Sequence, residues 1–174
     1  MASTNKLDFT LSFVGVETLD ADDAPFSLVA NNRDITVNSL KTNGSLNATS
    51  TPKVEKAPAV KLVTLAGSIV TIDLTAAEIS GGRTEDMSAK KLVAFEISAP
   101  STNTGDVTIE PGATNGYDLF GASGLLVFSP GQVLKSIISG AASSRDAVGA
   151  SDKTIDISGT SGDLLYVVLY FGGT

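Results

Sequence analysis

The chain has 174 residues, with 19 acidic and 12 basic side chains, a formal charge of −7, and neither cysteine nor histidine. Those two absences exclude disulfides, thiolate nucleophiles, Cys-based zinc sites and the histidine-dependent triads of serine and cysteine hydrolases. The acidity, with basic residues scattered and only Lys90-Lys91 adjacent, argues against a nucleic-acid partner, which needs clustered positive charge.

A hydrophobic content of 42 % with 17 glycines and much Ser and Thr points to one all-β domain spanning residues 1–174. No apolar run is long enough to cross a membrane as a helix. The opening MASTNKLDFT lacks the basic-then-apolar order of a signal peptide, so synthesis in a cytoplasm is expected.

Leu7, Phe9, Leu11 and Phe13 alternate with Asp8, Thr10 and Ser12, the period of a half-buried strand. Asp20-Ala21-Asp22-Asp23, closed by Pro25, places three carboxylates together. It lacks the glycine and distal glutamate of an EF-hand loop and reads as a solvated acidic turn. Phe26-Ser27-Leu28 and Asp34-Ile35-Thr36-Val37 are two further short strands, with Asn31-Asn32 as the turn. Lys41 to Ala59 (KTNGSLNATSTPKVEKAPA) is polar, with two prolines, and is expected to be a long loop, arm or linker. Its sequons at Asn43 and Asn47 carry no meaning beyond surface exposure when no secretory signal is present.

Val60–Leu65 and Ile69–Leu74 flank Ala66-Gly67-Ser68 as a hairpin. Thr75-Ala76-Ala77-Glu78 fits a capping box, and Gly81-Gly82 limits it to one helical turn. Arg83 to Lys90 is a polar connection. Lys91 to Ser98 is a strand with Val93, Phe95 and Ile97 on one face. Gly105 to Gly131 then packs three apolar pulses (Val107–Ile109, Tyr117–Phe120 and Leu125–Phe128) between Pro-Gly and Asn-Gly turns, the spacing of consecutive strands in a sandwich. Val133 to Ile138 is a strand or a short helical turn, and Gly140 to Ser151 a small-residue loop.

Thr154 to Ser158 alternates cleanly, and the chain closes on LLYVVLYFGGT. From Leu164 to Phe171 both faces are apolar, so the strand is expected to be covered on both sides. One cover is the opposite sheet. The second is either another subunit or the chain's own long loop. Tyr166, Val168, Tyr170 and Phe171 are the candidate oligomer-interface residues, because tyrosine buries area while its hydroxyl stays wet at a rim.

Catalytic chemistry is scarce. Strand carboxylates (Asp8, Asp73, Glu96, Glu110, Asp118, Asp156) could pair across a cleft at glycosidase spacing, but exposed strand positions are normally polar. Ser123 is not a nucleophile elbow, and no phosphate-binding glycine fingerprint is present. There is no Trp, and aromatics make up 6 % of the chain, leaving little for sugar stacking. No catalytic residue, cofactor or metal is expected.

Residues Lys91 to Thr174 resemble the small β-sandwich virion proteins of tailed bacteriophages, the class that decorates or cements capsids. The resemblance lies in Thr102-Asn103-Thr104-Gly105-Asp106-Val107-Thr108-Ile109-Glu110-Pro111-Gly112, in Thr114-Asn115-Gly116-Tyr117, in Phe128-Ser129-Pro130-Gly131 and in the final strand to Thr174. It implies an antiparallel, jelly-roll-like β-sandwich without enzymatic activity. Such a protein is made in the host cytoplasm and found in the virion. Its implied partners are itself, as a homo-oligomer for which a trimer would fit the local symmetry of a capsid, and a major capsid protein or other virion proteins. Two further functions share such a scaffold: a carbohydrate- or host-surface-binding module using loop aromatics such as Tyr117 or Phe120, and a carboxylate-dependent glycoside hydrolase.

Overall fold

The computed structural model describes residues 6–12, 16–18, 32–34, 41–47, 49–50, 53–54, 56–79, 83–120, 124–137 and 146–172. The chain divides into two compact units, one of Leu7–Ser45 and one of Met1–Lys6 with Leu46–Thr174. In the smaller unit, β1 (Lys6–Ser12) pairs with β4 (Lys41–Asn47), and β2 (Val16–Thr18) pairs antiparallel with β3 (Asn32–Asp34). The alternation at Leu7 thus forms its strand. The acidic turn at Asp20–Asp23 and the strand at Phe26–Leu28 lie outside the described residues.

The larger unit is built from two four-stranded antiparallel sheets. One contains β5 (Lys56–Thr64), β9 (Lys91–Ser98), β12 (Val133–Ile137) and β14 (Leu164–Gly172), in the order β12-β9-β14-β5. The other contains β6 (Val70–Asp73), β10 (Val107–Pro111), β11 (Leu126–Phe128) and β13 (Thr154–Gly159), in the order β11-β10-β13-β6. A small hairpin of β7 (Ala77–Ile79) and β8 (Arg83–Glu85) is an excursion between β6 and β9.

The pairing is nested. β5 pairs with β14, β6 with β13, β9 with β12 and β10 with β11, as in one long hairpin. Rolling that hairpin up sets β14 beside β9 and β13 beside β10. Eight strands so arranged form a jelly roll, which agrees with the expected all-β sandwich.

The core lies between the sheets, where alternate residues point inward. Ile72, Val107, Ile109, Phe128, Ile155 and Ile157 come from one sheet; Val63, Leu92, Ile97, Leu165, Val167, Leu169 and Phe171 come from the other. Each is at most 5 % exposed, and burial of such a side chain contributes about 1.5–3 kcal/mol.

Local expectations are corrected where long-range pairing overrides them. Lys41–Ala59 is not a free loop: Lys41–Asn47 is strand and β5 already begins at Lys56. Backbone pairing to a partner strand needs no apolar run, and so leaves no hydrophobic pattern to read. Val60–Leu65 and Ile69–Leu74 do not form a hairpin but belong to opposite sheets. Leu65 N–H donates to the Asp163 carbonyl and Gly162 N–H to the Leu65 carbonyl, so the chain crosses the sandwich edge there instead of reversing. Tyr117–Phe120 forms no ladder beyond a bridge at Gly116. Tyr117 and Leu119 are buried with their backbone bent, Leu119 N–H donating to the Tyr117 carbonyl. The helical turn is Leu74–Ala76, capped by the carboxylate of Asp73 rather than by Thr75. Val133–Ile137 resolves as strand.

Candidate interaction surface

β14 does not have two covered faces. Leu165, Val167, Leu169 and Phe171 are at most 1 % exposed, whereas Tyr166 on the reverse face is 42 % exposed. Val168 and Tyr170, on the same side as Tyr166, are half-buried. The three candidates are therefore brought together on the outer face of the sheet, but Phe171 is not among them. A register shift after Tyr170 keeps Phe171 inward, its ring edge-on to Tyr117 at 6.1 Å. Phe171 is a core residue of its own chain.

The register extends the outer face across three strands. Val133, Ser98 and Tyr166 form one row; Lys135, Glu96 and Val168 the next; Ile137, Ala94 and Tyr170 the third. Val133 is 53 % exposed and stands in the same row as Tyr166. The charges on these rows are the single pair Lys135 Nζ–Glu96 Oε1 at 2.9 Å. Both side chains are about half exposed, so the pair adds little to stability. Burial raises the Tyr170 hydroxyl above its usual pKa, and nearby Glu96 raises it further against the opposing pull of Lys135. Sequence reading missed Val133, Lys135, Ile137 and Glu96, because only the pairing of β12 with β9 sets them beside β14.

One end of this face is closed by the chain itself. A Cβ on Gly172 would overlap the Lys53 carbonyl oxygen and meet Val93 Cγ2 at 2.9 Å, so Lys53 crosses the bulged end of β14 in close contact. Val54 beside it is fully buried. Of the covers anticipated for this side of the final strand, the chain's own residues supply one at the far end, and the Tyr166 end is open.

The opposite sheet carries a polar crevice of about 330 Å³ lined by Thr71, Asp73, Thr114, Asn115, Lys153 and Asp156 among others. Two of the carboxylates considered for hydrolysis meet there. Asp156 Oδ1 accepts from the Thr71 hydroxyl at 2.6 Å and Oδ2 from Ala113 N–H at 3.0 Å. Asp73 Oδ1 accepts from Thr75 N–H and its hydroxyl, and Oδ2 from Lys153 Nζ at 3.1 Å. Burial works to raise the Asp73 carboxyl, but the Thr75 and Lys153 contacts together hold it below its usual value. A glycosidase acid must instead keep its proton near neutral pH. These contacts anchor a turn.

The motifs of the resemblance also have structural tasks. The buried Asn103 side chain donates to the Leu164 carbonyl at 2.8 Å and accepts from Leu164 N–H at 2.9 Å, standing in for a strand neighbour. Asp163 accepts from Thr104 N–H at 2.7 Å and Gly105 N–H at 2.9 Å. The Thr104 N–H holds the Asp163 carboxyl low; burial opposes it, and Gly105 N–H and the Thr104 hydroxyl reinforce it. Gly112 lies against Thr154, whose side chain a Cβ would overlap. Tyr117, a candidate for sugar stacking, is buried; its hydroxyl accepts from Leu92 N–H and donates to the Asp146 carbonyl. Phe120 packs edge-on to Phe95 at 5.5 Å. Tyr117 thus offers no open stacking surface, and Phe120 is partly buried against the core.

Among the described residues, no group of three or more acidic side chains is arranged to hold a metal ion, and no helix is long and apolar enough to cross a membrane. No protein-family model, curated protein or solved structure matches the chain.

Proposed function

We infer that this chain is a non-enzymatic virion structural protein, a capsid decoration or cement component that acts by homo-oligomerisation and docking on a capsid. The observation that carries the reading is the outer face of β12-β9-β14: an ordered sheet surface on a jelly-roll scaffold with Tyr166 and Val133 exposed and Val168, Tyr170 and Ile137 half-buried beside them. Supporting it, the polar crevice is tied up in structural hydrogen bonds, and the motif residues Asn103, Gly105 and Gly112 hold turns. Fold alone does not assign function, since jelly rolls also serve lectins and enzymes. The exposed sheet face and the resemblance to phage decoration proteins tip the balance.

The test is to image particles from cells making the protein alongside its gene neighbours. Regularly spaced copies on an icosahedral or helical shell are the expected result. Preparations in which the protein never accompanies a particle, together with specific binding in a glycan array, would replace this reading with the carbohydrate-binding one.

A further inference from the structure

We propose that the outer face of β12-β9-β14 is occupied by the same face of a second copy of this chain. The proposal rests on the self-association reading above and adds the occupant, the residues and the strength of the contact.

Charge selects the occupant. The chain carries −7 overall, so two copies repel at most orientations. On the three open rows the charges are Lys135 and Glu96, which cancel at 2.9 Å, and Lys91, opposite Gly172, and Lys53 stand at the closed end beyond them. A basic partner finds no net negative charge here, and an acidic partner no net positive charge. A second copy finds a neutral surface bearing one charge of each sign, so each Lys135 can meet the partner's Glu96 while the flanking apolar rows come together. An isologous contact needs such self-complementarity. Val133 and Tyr166 then lose the most exposed apolar area, and Tyr166 supplies the aromatic surface typical of interface anchors.

Area sets the strength. Strands stand about 4.8 Å apart and rise about 3.3 Å per residue, so the open rows, three strands wide and five residues long, offer roughly 250 Å² per copy. A standard interface takes about 800 Å² per partner. The Lys53 crossing at Gly172 prevents the face from extending past the bulge. An isolated pair is therefore weak and concentration-dependent, and copies held side by side on a shell gain from high effective concentration.

The experiment is sedimentation velocity on the full chain from about 10 μM to about 1 mM, a range that brackets weak dissociation constants. The expected result is a sedimentation coefficient that rises with concentration for the natural chain. It stays at the monomer value for Tyr166→Glu and for Lys135→Glu, which sets two negative charges together on each face. In the exchanged double variant Glu96→Lys/Lys135→Glu, association returns to within about threefold of the natural chain. Circular dichroism and thermal melts check that each variant is folded. An unchanged concentration dependence in both single variants would overturn this interface while leaving self-association through another surface intact. A natural chain that stays monomeric to the top of the range would overturn the interface itself, and the particle imaging described above would then decide the virion reading separately.

Discussion

Asn103 and Asp163 show what single residues do here. Asn103 is 8 % exposed and satisfies both the N–H and the carbonyl of Leu164. Asn103→Ala leaves both buried groups unpaired and is expected to cost about 2–3 kcal/mol in denaturant unfolding. Asn103→Asp retains the acceptor but turns a carboxylate oxygen toward a carbonyl, so it is expected to be destabilising at neutral pH and partly relieved in acid. Asp163 and Asp73 both sit below their usual carboxyl pKa. A carboxyl lowered on folding contributes stability that is fully present above the unfolded value, about 3.9, and is lost as pH falls through the folded one. Stability should therefore decline below about pH 4, and Asp163→Asn should flatten that decline in a pH series of melts. The turn at Asn103-Thr104-Gly105-Asp106 was legible from residue type alone. Its clamp was not, because the partners lie 58 to 61 residues downstream.

At the scale of the element, β14 separates a packed face from an open one within nine residues. Leu169→Ala, on the inward face, is expected to cost about 2–5 kcal/mol, and Phe171→Ala about 3–5 kcal/mol. Tyr166→Glu, on the open face, should change stability by no more than about 0.5 kcal/mol while abolishing association. Guanidinium unfolding beside sedimentation on each variant checks the contrast; a Phe171→Ala protein that folds normally but fails to associate would reinstate Phe171 at the interface. The apolar character of both sides of this strand was plain in LLYVVLYF. What covered the outer side was not, since that depends on the bulge after Tyr170 and on Lys53 reaching Gly172. Conversely, Tyr117 and Leu119 carry a strand-like alternation because both are buried, although the backbone there bends instead of pairing.

At the scale of the molecule, strands β9, β10, β13 and β14 could be located from alternation and turn residues. Their partners could not, because a jelly roll joins the first of its strands to the last. β5 meets β14 across about a hundred residues, with Leu164 opposite Thr64 and Val168 opposite Val60. A topology so rich in distant pairing predicts folding in milliseconds to seconds rather than microseconds, measurable by stopped-flow refolding. Among the described residues the buried core cluster runs from Val63 to Phe171, and Leu46–Thr174 fall with Met1–Lys6 in one compact unit. Residues 46–174 expressed alone are therefore expected to unfold in one cooperative transition. A broad, non-cooperative melt would show that Leu7–Ser45 is needed to complete the fold.

We propose that this sheet face meets other copies in a shell. Electron cryomicroscopy of assembled particles tests it most directly. The account predicts density for the jelly roll at symmetric positions, with Tyr166 and Val133 buried against a neighbouring copy. Particles bearing the protein with that face uniformly in solvent, and its contacts made elsewhere, would contradict it.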